Sequence, residues 1–271
     1  SPEGYRNQGW KDAFDAVVYP DGTLVSPPIA IVEVQGYYFD ALRRMGEIAR
    51  LCGRAEEAVG YARHAEELWE HFNEVFWLEE EGSYAFGLDP QKRPIWTIAS
   101  NPGHLLWSGM VPNERAARLV SRLMADDMFS GWGIRTLSAR NPAFDPISYQ
   151  RGSVWPHDNG IIALGLKRYG FWQEANRIAE GVFDAASHYE RNSLPELFAG
   201  IDRDPGSLPV PYVEANLPQA WAAGSVFMLL QAILGIEADP ERRCLTVAPS
   251  LPEWLPELTL RGLSVFGIKV D

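Results

Sequence analysis

The chain has 271 residues, 46% of them hydrophobic, enough to bury one large core or one core with a small appendage. Its formal net charge of −12 argues against a phosphate-rich partner such as nucleic acid. No apolar run long enough to span a membrane is free of charges and prolines.

The start, Ser1-Pro2-Glu3-Gly4-Tyr5-Arg6, does not read as a signal peptide, so a cytoplasmic location is expected, with an upstream targeting segment left open. Cys52 and Cys244 are expected to be two buried thiols. Neither a disulfide framework nor a zinc site is indicated, and no metal or other cofactor is expected. His64 and His71 fall on a charged helical pattern and are expected at the surface. The unusual count is aromatic: ten Trp, ten Tyr and twelve Phe. Tryptophan builds cores, but it also stacks on the apolar face of a sugar ring while keeping one polar N–H.

In chain order, residues 7–19 form an entry segment, open to a helical reading, that begins Asn7-Gln8-Gly9-Trp10-Lys11-Asp12. Residues 31–52 give a long apolar helix. Residues 54–77 give the opposite kind, with one stripe of Ala58, Tyr61, Ala65, Leu68, Phe72 and Val75 among Glu and Arg. Residues 79–96 read as a hairpin around Ser83-Tyr84-Ala85-Phe86. Residues 103–110 are apolar again, and Asn113 is placed to cap the amphipathic helix after them. Residues 126–156 form a long aperiodic loop, a length that is usually functional. Residues 157–169 are apolar, 171–190 amphipathic, and 218–235 apolar, ending on Gly235 as a C-cap. Residues 244–270 read as short strands: 245–247, 258–260 and 265–268.

An all-round apolar helix must be buried, whereas an amphipathic one faces water on one side. Their alternation describes helices inside a ring of helices. The expected fold is mainly α: an (α/α)6 toroid over residues 1–240, incomplete at its N-terminus, with a small β appendage over 241–271. The motif-bearing segments sit at the N-terminal ends of the inner helices and so converge on one rim. The helices missing from the ring are expected in an N-terminal part of the same protein, which would be this chain's partner.

Two carboxylates on opposite faces of a sugar are what an inverting glycosidase requires, one to protonate the leaving oxygen and one to activate water. Asp12 is the candidate acid, beside Trp10, which is placed to exclude water and raise its pKa; the charge of Lys11 opposes that if it points inward. Glu196, in the apolar run Leu194-Pro195-Glu196-Leu197-Phe198, is the candidate base, because burying a glutamate there is costly unless it has partners or a task. Asp15 and Glu214 compete for these roles. His157 and Asp158 are read as hydrogen-bonding groups for sugar hydroxyls, with Trp155 as the floor. Arg135 is open to orienting a carboxylate or hydroxyl or to a structural salt bridge. Gln35, His104, Trp107, Gln219 and Trp221 complete the candidate contacts, with Trp10 and Lys11.

The ordered motifs Asn7-Gln8-Gly9-Trp10-Lys11-Asp12, Val32-Glu33-Val34-Gln35-Gly36-Tyr37, 100–109 with His104 and Trp107, Gly152-Ser153-Val154-Trp155-Pro156-His157-Asp158-Asn159, Leu194-Pro195-Glu196-Leu197-Phe198 and 218–224 resemble bacterial amylo-α-1,6-glucosidase-like proteins. These are related to the glucosidase half of glycogen debranching enzymes. The resemblance spans almost the whole chain. It implies an (α/α)6 toroid, inverting cleavage of an α-glucosidic or related α-glycosidic bond without a catalytic metal, Asp12 as acid and Glu196 as base. The chain departs from the pattern at Ala13, Gln150 and Asn216-Leu217, which leaves the sugar and the linkage open. The expected partner is an oligosaccharide or small glycoside. Two alternatives stand beside hydrolysis. One is a sugar phosphorylase with an anion pocket built from Lys11, Arg135 and Arg151; the other is a non-catalytic carbohydrate-binding chain or inactive fragment.

Overall fold

The computed structural model describes residues 8–270; Asn7, the first residue of the entry motif, lies outside them. Seven α-helices follow one another: α1 (Val32–Leu51), α2 (Ala55–Val75), α3 (His104–Ser108), α4 (Asn113–Leu123), α5 (Pro156–Arg168), α6 (Trp172–Ser187) and α7 (Ala220–Leu234). Helices α1, α3, α5 and α7 pack side by side in that order as an inner layer. Helix α2 lies against α1, and α6 against α5 and α7. The layers enclose a core that includes Phe39, Phe72, Leu106, Ile162, Ile178 and Leu229.

Local chemistry explains the elements. Glu56 and Glu57 occupy the first turn of α2, where carboxylates favour the positive end of the helix dipole. Pro156 opens α5 with a φ already suited to a helix. Gln219 caps α7 by accepting from Ala222 N at 3.1 Å, and Gly235 ends it in the left-handed region at φ 59°. Asn113 is the first residue inside α4 rather than its cap, because the extended Pro112 takes the capping position. Inner helices approach closely only through glycine: a Cβ on Gly165 would stand 2.5 Å from Trp107 N, and one on Gly36 2.8 Å from Ser108 Oγ.

The ends of the inner layer are uncovered. Val34, Tyr38, Met45 and Ile48 form an exposed apolar edge on α1, and Phe227 of α7 is 73% exposed. Among the described residues no helix is long and apolar enough to cross a membrane.

Strand content is small. β1 (Ala30–Ile31) pairs antiparallel with β4 (Gly87–Leu88), and β2 (Trp77–Leu78) with β3 (Ser83–Tyr84). β5 (Ile236–Asp239) pairs with β6 (Cys244–Val247) across a turn at 240–243, and β7 (Leu263–Val265) with β8 (Ile268–Val270). Three expectations are corrected. The described part of the entry segment is not helical but a series of bends and turns with one bridge, Val18 to Leu24. Residues 258–260 form no strand. Cys52 and Cys244 are exposed, since one caps the end of α1 and the other opens β6 in a two-stranded hairpin.

The long segments before α3, α5 and α7 are laced together by single bridges: Ala99 to Leu137, Arg135 to Val154, Val154 to Phe198, and Phe198 to Pro211. Asn159 ties the 126–156 loop to α5, accepting from Ile134 N at 2.7 Å and donating to Ile134 O at 3.1 Å. This lacing forms the rim above the N-terminal ends of the inner helices.

Candidate active site

The first turns of the inner helices bring polar side chains together at the rim. His104, the first residue of α3, is held between two partners: its Nδ1 lies 2.5 Å from the hydroxyl of Tyr37 on α1, and its Nε2 2.6 Å from Asp158 Oδ1 on α5. Asp158 is fully buried; burial works to raise its pKa, but the hydrogen bond and charge of His104 outweigh that and hold it below the usual carboxylate range. Glu33, in the first turn of α1, is fully buried, and burial pushes its pKa up against the opposing pull of His104, Asn101 and Lys11. Among the described residues neither of its oxygens has a partner in good hydrogen-bond geometry, although the Asn101 amide beside it is near enough to favour its charge.

Aromatic rings surround this cluster. The Trp10 ring stacks near His104 at 6.0 Å and meets Trp155 and His157 edge-on at 5.5 and 4.7 Å. His157 lies flat on Trp221, with centroids 3.8 Å apart and planes 3° apart. Burial drives the pKa of His157 down to about 3, so the imidazole is neutral at ordinary pH, and neither ring nitrogen has a partner among the described residues. Trp10 Nε1 and Asp158 Oδ2 are likewise unpartnered. Buried polar groups without partners are costly, so their concentration on one rim marks a place built for a hydrogen-bonding ligand.

Glu196 sits at one side of the rim, 5% exposed, with every oxygen engaged. Tyr149 donates its hydroxyl to Oε1 at 2.7 Å, while the backbone N and side-chain amide of Asn216 donate to Oε2 at 3.2 and 2.8 Å. These are the partners that make burial of this glutamate tolerable. Asp12 is exposed, and Trp10 does not cover it, because that ring turns towards His104 and His157. Burial foremost, and then Glu196 and Asp12, raise the pKa of the Tyr149 hydroxyl, which places both carboxylates within electrostatic reach of one phenol. Asp15 and Glu214 are close by: each acts on the hydroxyl of Tyr212, and Asp15 pairs with Arg151 at 3.1 Å.

Several other candidates are engaged by the protein itself. Lys11 points inward and is fully buried; its Nζ donates to Thr136 O at 2.5 Å, and burial lowers its pKa to about 8 despite the nearby Asp158 and Glu33. Trp155 lies beneath the exposed floor, fully buried, with Nε1 donating to Tyr149 O and Ser153 Oγ. Arg135 is buried with its guanidinium on Gly200 O, Asp126 O and Asp202, the structural salt bridge of its two readings. Gln219 spends its carbonyl on the α7 cap, and Gln35 donates to the carbonyl of Ile31, the residue just before its helix. Trp107, one turn after His104, is exposed and meets the Tyr37 ring edge-on at 6.1 Å. With Lys11, Arg135 and Arg151 each engaged, the anion pocket of the phosphorylase alternative is not assembled from these three. Among the described residues no cluster of three or more His, Cys, Asp or Glu is placed to hold a metal ion.

Sequence reasoning missed Tyr149 and the roles of Gln150 and Asn216. Gln150 is 1% exposed and brackets Asp12: its Oε1 accepts from Ala13 N at 2.9 Å, and its Nε2 donates to Trp10 O at 3.3 Å. The only signal was that Gln150 and Asn216 depart from the motif.

The sequence profile of the mannosylglycerate hydrolase MGH1-like glycoside hydrolase domain matches residues 4–201. A mannosylglycerate hydrolase of Rubrobacter radiotolerans is 29% identical over 159 residues, 55% of this chain and 35% of the relative. Mannosylglycerate hydrolase MGH1 of Selaginella moellendorffii is 34% identical over 90 residues, 32% of this chain and 18% of the relative. The chain therefore spans about a third or less of these relatives' length. Among solved structures, the GH63 mannosylglycerate hydrolase of Thermus thermophilus in complex with glucose aligns with a TM-score of 0.59 at 22% identity, covering 75% of this chain and 45% of that one. Neutral trehalase Nth1 of Saccharomyces cerevisiae aligns with a TM-score of 0.60 at 14% identity, covering 82% and 41%. At these identities the two structures show a shared (α/α) barrel fold, as the alternating helices predicted. The glycosidase character of the sequence resemblance stands, while nothing in these matches singles out an amylo-α-1,6-glucosidase.

Proposed function

This chain belongs to the mannosylglycerate hydrolase MGH1-like glycoside hydrolase family, and we propose that its rim is the active centre of an inverting glycosidase acting on mannosylglycerate or a closely related α-linked glycoside of a small hydroxy acid. The observation that carries this reading is that Glu196 binds the Tyr149 hydroxyl while Asp12 lies within electrostatic reach of the same group, beside an aromatic-lined floor of unpartnered polar groups. In the proposed reaction Asp12 gives its proton to the glycosidic oxygen as the C1–O bond breaks and its electron pair leaves on that oxygen. Glu196 takes a proton from a water whose oxygen bonds to C1 from the opposite face. The products are a sugar of inverted anomeric configuration and a free hydroxy acid, and solvent returns the proton from Glu196 to Asp12. A neutral His157 suits the floor, since it offers one donor and one acceptor to sugar hydroxyls. The uncovered edges of α1 and α7 support a ring completed by further helices of the same protein.

The test is proton NMR of the protein with mannosylglycerate, in buffer with and without phosphate. Early appearance of β-mannose, independent of phosphate, is the expected result. Release of α-mannose would end the inverting assignment. Binding without any release would leave a carbohydrate-binding protein, and a requirement for phosphate would return the phosphorylase alternative.

A further inference from the structure

The two carboxylates of the proposed reaction belong to segments far apart in the chain, yet one short loop holds both. Gln150 meets the backbone on either side of Asp12 through its side-chain amide, as a neighbouring strand would. The next residue back, Tyr149, carries the hydroxyl bound to Glu196. The next residue on, Arg151, pairs with Asp15 at 3.1 Å. Among the described residues the segment around Asp12 contains no helix or strand, and side chains help to fix it. A further anchor reaches the same loop: Lys11 is bound to Thr136 O, while Thr136 N donates to Ser153 O and Gly152 N donates to Thr136 Oγ1.

The loop itself is closed tightly. Asp145 N donates to Arg151 O and Ser148 N to Asp145 O, both within the loop. Ser153 Oγ and Trp155 Nε1 both donate to the carbonyl of Tyr149, at 2.7 and 2.9 Å, and the two rings meet edge-on at 4.9 Å. Gly152 adopts φ 148°, where a Cβ would stand 2.7 Å from Asp145 O. A loop this constrained acts as a spacer rather than a hinge.

We infer that Tyr149-Gln150-Arg151 is the element that sets the separation of the two carboxylates, with Gln150 the positioning residue for Asp12 and Tyr149 the positioning residue for Glu196. The inference rests on the reading of Asp12 as acid and Glu196 as base. Its physical content is that separation decides whether a water fits beside the sugar, and that an error of about 1 Å costs on the order of 10²-fold in rate.

The two halves of the spacer are separable because a good leaving group needs no proton. The experiment compares mannosylglycerate with α-mannosyl fluoride on the full protein, using Gln150→Leu and Tyr149→Phe. Gln150→Leu is expected to lower kcat roughly 10–100-fold on mannosylglycerate and far less on the fluoride, with KM little changed. Tyr149→Phe is expected to lower kcat alike on both, because water activation serves both. Equal losses on both substrates for Gln150→Leu, or none on either, would overturn the inference, since a merely loosened fold does not distinguish leaving groups. If the unaltered protein turns over neither compound, the proposed reaction fails and crystal structures of the variants decide the spacer alone. Displacement of the Asp12 carboxyl in Gln150→Leu and of Glu196 in Tyr149→Phe, each without the other, sustains it; unmoved carboxylates refute it.

Discussion

Helices α2 and α5 occupy the two layers of one fold and are built by opposite rules. In α2, three of 21 residues are buried, and the helix is held by a stripe around Ala65 and Phe72 while Glu and Arg face water. In α5, nine of 13 residues are buried, and its first turn carries His157, Asp158 and Asn159 away from solvent. The outer helix places its polar residues where they cost little. The inner helix places them where each needs a partner, and His157 and Asp158 leave atoms unpaired. Stability therefore comes from the apolar flanks of α5, while under the proposed function the unpaired atoms of its first turn are a cost carried for recognition.

The sharpest test of that division is at the two carboxylates of the proposed reaction. Asp12→Asn and Glu196→Gln are each expected to lower the hydrolytic rate by about 10²–10⁴-fold while leaving binding of mannosylglycerate, followed by calorimetry, within a few-fold. Loss of binding in step with rate would move these residues from chemistry to structure. Next in size is the buried pair. Asp158→Ala leaves His104 and Tyr37 without their carboxylate and is expected to cost about 3–5 kcal/mol in urea unfolding. The flank of α5 is probed by Gly165→Ala, whose methyl would press on Trp107 N and Leu106, with an expected cost of about 1–3 kcal/mol.

His157 gives a signature in pH. Its folded pKa of about 3 lies below the unfolded value of 6.5, so between these values the unfolded chain binds a proton that the folded chain refuses. Stability is expected to fall as pH drops through that window, by at most about 1.4 kcal/mol per unit from this group, and His157→Asn should flatten the slope. An unchanged slope would mean that the imidazole titrates normally. At the far end of the comparison, Glu67→Gln on the outer face of α2 is expected to stay within about 0.5 kcal/mol.

The parts of the fold legible in sequence were those with long periods. The stripe of α2 and the all-round apolar character of α7 span several turns, and both appear within two residues of the expected bounds. Helix α3 has five residues and follows a 3-10 turn at Asn101–Gly103, too short to show a period, so its apolar motif over 103–110 was what marked it. Strand β5, Ile236-Glu237-Ala238-Asp239, carries too little alternation to signal itself. At the site, the motifs marked which residues gather at the rim but not which way they face. The inward turn of Lys11 depends on Thr136, which lies 125 positions away. The bracket on Asp12 depends on Gln150, 137 positions from Ala13. Contacts of that range are properties of the folded loops, and for Gln150 a departure from motif was the only trace.

The lacing of the rim carries a consequence for how the molecule opens. Val154 and Phe198 donate to each other's carbonyls at 2.9 and 3.0 Å, Thr136 donates to Ser153, and Ala199 to Val210. No bridge in this series extends into a ladder, so none has neighbours of its own kind to hold it shut. Each is protected only while the adjoining loop stays in place. In deuterium exchange the amides of Thr136, Val154, Phe198 and Ala199 should then be released together, at one common rate, although they span 64 positions of chain. The entrance to the site would behave as one cooperative latch, made of strands too short to be stable singly.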